Sequence, residues 1–216
     1  MKVAPSIIAA DFTRYQQELA AVEKAGADCL HLDIMDGVFV PNLTFGPMVV
    51  EAINRITDMI LWSHLMIINP EKYLEEYITA GSDWISFHLE ATKHVDQCLD
   101  FCTKKGTLTG LSINPETPFE KVKKFLPHMD VLLIMTVNPG FYGQKFMEDV
   151  VPKIEEAHHY ATGHGIDCSI AVDGGVNAGN ACHLKEAGAD IVVAGASVFR
   201  SSDYSYAIGE LRCSKG

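Results

Sequence analysis

No apolar run in the chain reaches the ~18–20 residues that cross a bilayer, so the sequence offers no membrane-spanning helix. Basic residues are scarce: 17 Lys and Arg stand against 28 Asp and Glu, for a net charge of −11. That balance argues against broad binding of nucleic acid or anionic membranes. It leaves room for one phosphate, because backbone N–H groups at a helix N-terminus can hold an anion on an acidic protein. The 6 cysteines include no Cys-x-x-Cys pair and are too sparse for a disulfide scaffold. Cys98 and Cys102 lie four apart on a candidate helix and read as buried reduced thiols rather than a zinc site. No G-x-G-x-x-G follows the first candidate strand, which weakens an open doubly wound sheet. The N-terminus, MKVAPSIIAADF, lacks a signal peptide's long apolar centre and small-residue cleavage site, so the expected location is cytoplasmic.

What the chain does have is alternation. Its 216 residues are 48% hydrophobic, enough for a sizeable core. Short apolar runs predict strands at 3–9, 29–35, 59–67, 84–91, 108–114, 131–137, 168–173 and 191–197. Amphipathic segments between them predict helices near 13–25, 47–56, 70–79, 94–104, 118–125, 146–163, 177–187 and 204–211. The tetrapeptides AGAD (25–28), AGSD (80–83) and AGAD (187–190) each join a helix to a strand. Their glycines suit the left-handed position that ends a helix. Eight βα units without a linker or low-complexity stretch predict a single (β/α)8-barrel domain over residues 1–216.

A barrel places function at the C-terminal ends of its strands. His31 and Asp33, in HLDIMDG, are two apart and therefore share one face of the second strand. His64 stands near the end of the third strand and Asp173 ends the seventh. Any one of these reads as an ordinary core residue. Together, at matching heights, they suit a divalent metal such as Zn, Fe, Mn or Co, and the two aspartates could form an acid–base pair. Asp36 reads as a loop former before Gly37. Gly174 and Gly175 after the seventh strand, with Gly195 and Ala196 after the eighth, occupy the usual phosphate position of such barrels, or are simple turn residues. NPGFYGQKF (138–146) reads as a lid or a plain surface loop. Met35, Met66 and Met135 fall at strand ends as core filler or as a polarizable wall. His158, His159 and His164 read as solvent-facing. His88 could line the barrel, with no role assigned.

Several long segments resemble the ribulose-phosphate 3-epimerase family: APSIIA (4–9), HLDIMDGVFVPNLTFGP (31–47), HLM (64–66), HLEAT (88–92), MTVNPGFYGQK (135–145) and DGGV (173–176). The resemblance covers nearly the whole chain in order. It implies interconversion of D-ribulose 5-phosphate and D-xylulose 5-phosphate in the pentose phosphate pathway, without a redox cofactor. It implies that His31, Asp33, His64 and Asp173 bind one divalent metal ion. Asp33 and Asp173 would be the acid–base groups on opposite faces of C3, and the metal would stabilise a cis-enediolate. Ser6 matches a substrate-contacting serine, and Gly140, Phe141, Tyr142 and Gly143 match the lid. Gly174, Gly175, Gly195 and Ala196 match the phosphate cradle, and the three methionines match a cluster lining the intermediate. Relatives are often dimers or hexamers, so a homo-oligomer is expected.

Three positions depart from the family's pattern. Trp62 stands where an acidic residue is usual, Ala171 where Glu is usual, and Ala196 where Ser is usual. Trp62 and Ala171 each precede a mouth-facing residue by two, on odd strands, and are expected to share one inward layer, bulk on one side offsetting loss on the other. Two other readings remain at this point. One is a 3-epimerase of a six-carbon ketose phosphate such as D-allulose 6-phosphate; the other is a weakly active phosphosugar-binding relative. A barrel lyase or decarboxylase would want a Lys in the mouth, and no predicted strand contains one.

Overall fold

The structure is a computed structural model, described for residues 1–141 and 143–213. Eight strands form: β1 (Lys2–Pro5), β2 (Leu30–Met35), β3 (Leu61–Met66), β4 (Trp84–His88), β5 (Leu108–Ile113), β6 (Val131–Met135), β7 (Ser169–Asp173) and β8 (Ile191–Ala194). All pair in parallel, in the order β1-β8-β7-β6-β5-β4-β3-β2. A bridge between Ser6 and His31 brings the two ends together. This is the expected (β/α)8, or TIM, barrel. Around it run α1 (Tyr15–Lys24), α2 (Pro47–Asn54), α3 (Leu74–Thr79), α4 (Val95–Lys105), α5 (Val151–His164), α6 (Ala181–Glu186), α7 (Ala196–Phe199) and α8 (Tyr204–Leu211). Among the described residues, no helix is long and apolar enough to cross a membrane.

Strand alternation sorts the side chains into two cores. Leu30, Leu32 and Ile34 of β2 join Leu19, Val22 and Leu99 of the helices in the outer core. His31, Asp33 and Met35 point the other way, into the barrel. Ala4, Trp62, Leu133, Ala171 and Val193 form the inner apolar cluster. Trp62 is therefore inward and fully buried, in the same cluster as Ala171, and its Nε1 donates to Ser86 Oγ at 2.9 Å.

Several predicted elements are trimmed or changed. The segment expected to be a helix at 118–125 forms two 3-10 turns, Phe119–Lys121 and Lys123–His128. Pro118 and Pro127 bracket it, and Pro127 lacks the N–H an α-helix needs. Its core residues Phe119, Val122 and Phe125 recur every three residues, the 3-10 period. The first, fourth and eighth apolar runs extend past the barrel rim, where they turn into Ile7–Ala9, Leu89–Ala91 and α7. β1 starts one residue early, at Lys2, whose ammonium lies over Trp84 at the end of the barrel opposite the mouth. Cys98 and Cys102 are free and buried, as expected. The sequence reading missed one bridge: Cys182 and Cys213 form a disulfide that ties α6 to the residues after α8.

The AGAD joints prove to be strand clamps. Gly26, Gly81 and Gly188 have φ of 87°, 108° and 100°. The aspartate that follows each reaches back to the preceding strand. Asp28 accepts from Val3 N, Asp83 from Leu61 N and Asp190 from Ile170 N, at 2.8, 2.8 and 2.9 Å. Asp130 does the same to Thr109 N at 2.8 Å. Each aspartate's own N–H donates back to the carbonyl of that same residue. Four aspartates thus pin the N-terminal ends of β1, β3, β5 and β7, away from the mouth.

Candidate active site

β2 delivers His31 and Asp33 to the mouth, β3 delivers His64 and β7 delivers Asp173. One ligand atom from each lies within 4.8 Å of the others. His31 Nε2 and His64 Nδ1 face each other at 3.3 Å. Each sits 3.4 Å from Asp33 Oδ1, and they lie 3.8 and 3.9 Å from Asp173 Oδ2. Both histidines are fully buried and Asp33 is nearly so. Two imidazole nitrogens and two carboxylate oxygens, converging from three strands, form a donor set that could hold a divalent cation. Buried groups of this kind are costly unless something pairs with them.

The two carboxyls are chemically alike and are driven apart. Burial works against charge at Asp33, but His31 and His64 outweigh it and hold the carboxyl well below the usual range. Ser6 Oγ donates to its other oxygen. At Asp173, burial and then the charge of Asp33 raise the pKa above the usual value. Burial, joined by neighbouring histidine charge, lowers His64 to about 3. His31 moves up: burial opposes its charge, while Asp33 and Asp173 favour it. Divergent pKa values at one site are the signature of an acid–base pair.

A cavity opens beside these residues. Ser6, Asp33 and Asp173 line it, with Met35, Met66 and Met135 as its apolar wall. Gly174, Gly175, Gly195 and Ala196 line the side expected to hold phosphate, and Gly140 and Phe141 also line the cavity. Gly143 does not line the cavity, and Tyr142 lies outside the described residues. Gly174 has φ 123°, and a Cβ there would fall 2.6 Å from Val137 Cγ2 and 2.8 Å from Val137 N. At Gly175, φ 67°, it would fall 2.5 Å from Phe146 N. These two glycines are therefore required where the loops after β6 and β7 meet, and Thr136 Oγ1 seals that junction by donating to Gly174 O at 2.7 Å. Gly140 packs on Pro41, and Asn42 Nδ2 donates to its carbonyl at 2.8 Å, so the loop after β6 rests on the loop after β2. Asp36 plays its expected part, accepting from Val38, Phe39 and Ile68 N–H groups at 2.8 Å.

Two features at the site were not foreseen. His88, left without a role, ends β4 with its Nε2 3.0 Å from His64 Nε2. The i, i+2 parity that paired His31 with Asp33 also turns Ser86 and His88 inward, and was the signal available. His31 Nδ1 is buried without a hydrogen-bond partner.

Comparison with known proteins settles the family. The profile described as the Ribulose-phosphate 3 epimerase family matches residues 2–199. The ribulose-phosphate 3-epimerase of Bacillus subtilis is 46% identical over 216 residues, covering 100% of both chains. That of a Synechocystis strain is 46% identical over 215 residues, covering 99% of this chain and 94% of its own. Among solved structures, a mutant tryptophan synthase alpha-subunit from Pyrococcus furiosus superposes with a TM-score of 0.71 at 16% identity, over 98% of this chain and 97% of that one. That likeness concerns the fold alone. The chain belongs to the ribulose-phosphate 3-epimerase family. It is an epimerase, and the family name places it in the pentose phosphate pathway. Trp62 and Ala171, expected to share one inward layer, do lie together in the structure. The Trp62 ring stands edge-on to His31, with centroids 4.7 Å apart, and Ala171 shares its apolar cluster. Neither side chain can accept a proton from His31 Nδ1. At the third departure, Ala196 still lines the cavity and keeps its backbone N–H.

Proposed function

We propose that the protein inverts C3 of D-ribulose 5-phosphate to give D-xylulose 5-phosphate, with Asp33 and Asp173 as the two proton-transfer groups. The observation that carries this reading is the pair of carboxyls at one cavity, with the pKa of Asp33 driven down by the histidines and that of Asp173 driven up by burial and by Asp33. A divalent cation held by His31, Asp33, His64 and Asp173, with Zn, Fe, Mn or Co suited to the donor set, would supply Lewis-acid stabilisation of the negative charge that builds on the substrate oxygens. Asp33 takes the C3 proton from one face, leaving a cis-enediolate. Asp173 gives its proton to the opposite face, so C3 inverts; the reverse reaction exchanges the roles. Ser6 fixes the orientation of the Asp33 carboxylate and contacts substrate. Met35, Met66 and Met135 keep water from the enediolate. Gly174, Gly175, Gly195 and Ala196 receive the phosphate, and the loop carrying Gly140, Phe141, Tyr142 and Gly143 closes the site. Residues 1–216 act as one domain, in a cytoplasmic homo-oligomer.

The test is proton NMR of D-ribulose 5-phosphate in D₂O with metal-reconstituted enzyme and with Asp173→Asn. Wild type is expected to yield xylulose 5-phosphate bearing deuterium at C3. Asp173→Asn is expected to be slower by about 10²–10⁴-fold, the usual worth of a general acid–base group. No product with any of the four metals would refute the five-carbon assignment and turn attention to six-carbon ketose phosphates, then to a weakly active relative.

A further inference from the structure

The nitrogens of His64 divide its work. Nδ1 faces Asp33 and His31, at 3.4 and 3.3 Å. A nitrogen that offers its lone pair to a cation carries no proton, so the proton of the neutral ring sits on Nε2. Nε2 lies 3.0 Å from His88 Nε2. To accept there, His88 must carry its own proton on Nδ1, which faces Glu90 Oε2 at 3.4 Å. At that separation His88 Nδ1 makes no hydrogen bond and is buried without another partner among the described residues, so Glu90 is the one carboxylate placed to take its proton as the site tightens on occupation. Glu90 is itself held: its Oε1 accepts from Asn114 N at 2.9 Å and from Thr117 Oγ1. With these tautomers both imidazole N–H groups point the same way, from the mouth toward Glu90. His88 is fully buried, with the Phe39 ring 4.7 Å away, so water does not compete for the contact.

We propose that His88 and Glu90 are positioning residues that fix the tautomer and ring orientation of His64, as a carboxylate–histidine–histidine relay behind the metal centre. A carboxylate or carbonyl behind a ligating histidine raises its basicity and locks its orientation. His31 lacks such a partner: its Nδ1 is buried and unpaired beside Trp62. The relay therefore leaves His64 as the histidine of the pair that is held from behind. The inference rests on the metal centre proposed above.

The test titrates Co²⁺ into chelator-stripped wild type, His88→Leu, His88→Gln and Glu90→Ala, against a competing chelator, following the visible spectrum of the bound ion. Wild type that fails to bind Co²⁺ removes the metal centre itself and the relay with it. Given binding, Leu cannot accept from His64 and is expected to lose about 10- to 100-fold in affinity, whereas the amide oxygen of Gln can accept and should hold the loss to about threefold. Glu90 borders a surface cavity of about 350 Å³. Glu90→Ala is expected to lose about tenfold and to regain affinity when formate is added. ¹⁵N NMR of the zinc-loaded protein should find protons on His64 Nε2 and His88 Nδ1. Wild-type affinity in His88→Leu, equal losses in Leu and Gln, or a proton on His88 Nε2 overturns the relay while leaving the metal centre standing. Should His88→Leu not fold, the formate response of Glu90→Ala decides: restored affinity supports the relay, and its absence rejects it.

Discussion

Glu90 shows how far a single carboxyl can be moved by its neighbours. Burial pushes its pKa up, but His88, Thr117 and the Asn114 N–H outweigh burial and leave it at about 2, against an ordinary 4.5. A carboxyl depressed in the folded state stabilises the fold above its unfolded pKa and loses that contribution as pH falls through the folded value. The window is therefore from about pH 4.5 down to about 2. The full shift corresponds to about 3 kcal/mol, and exposure of part of the side chain reduces this to about 2. Metal-free Glu90→Gln should unfold at a lower urea concentration than wild type at pH 6, and the gap should shrink by pH 3. A gap that stays constant across that range would show that the charge of Glu90 carries no stability. The same residues mark what sequence could show. Parity along β2 and strand-end positions were enough to bring His31, Asp33, His64 and Asp173 together. The histidine row escaped because it depends on register: His64 pairs with Ser86 across β3 and β4, which sets His88 one step further toward the rim. No spacing within one strand encodes that step.

At the scale of elements, strand existence followed from apolar periodicity, while strand ends did not. Apolar residues continue past the rim of β1, β4 and β8 because the turns there also bury side chains such as Ile7 and Val198. The helix-to-strand joints were more legible, since Gly and Asp are both demanded by local chemistry. Three of the four clamps carry the AGAD or AGSD spelling. The fourth, Asp130, follows 3-10 turns rather than an α-helix and so lacks the glycine. Each clamp lies far from the mouth. Replacing Asp83, Asp130 or Asp190 by Ala should cost about 1 kcal/mol, the ordinary net worth of one hydrogen bond, and Asp28→Ala somewhat more, because Asp28 also pairs with Arg212 at 2.8 Å. Urea unfolding should report that loss while the epimerisation rate stays at the wild-type value. Losses at Asp83 and Asp190, which secure different strands, should add. A clamp variant with normal stability would mean that solvent satisfies the strand end equally well.

For the whole molecule, a barrel that draws one donor set from three strands links metal binding to folding. His31 and Asp33 come from β2, His64 from β3 and Asp173 from β7, and the sheet order separates β7 from β3 by three strands on one side. Unfolding disperses all four, so a metal that binds them stabilises only the folded chain. At a free metal concentration about a hundredfold above its dissociation constant, that linkage supplies about 2.7 kcal/mol. For a chain of 216 residues it should raise the melting temperature by about 5–10 °C. Scanning calorimetry of chelator-treated protein, with and without added Zn²⁺ or Co²⁺, should show this rise. Asp173→Asn, with one charged donor gone, should show a smaller one. Asp28→Ala should melt lower in both states by the same amount, because its clamp lies outside the metal centre. Coincident melting of the metal-free and metal-treated wild type would mean that the four side chains bind no cation strongly enough to matter, and the reaction would then rest on Asp33 and Asp173 alone.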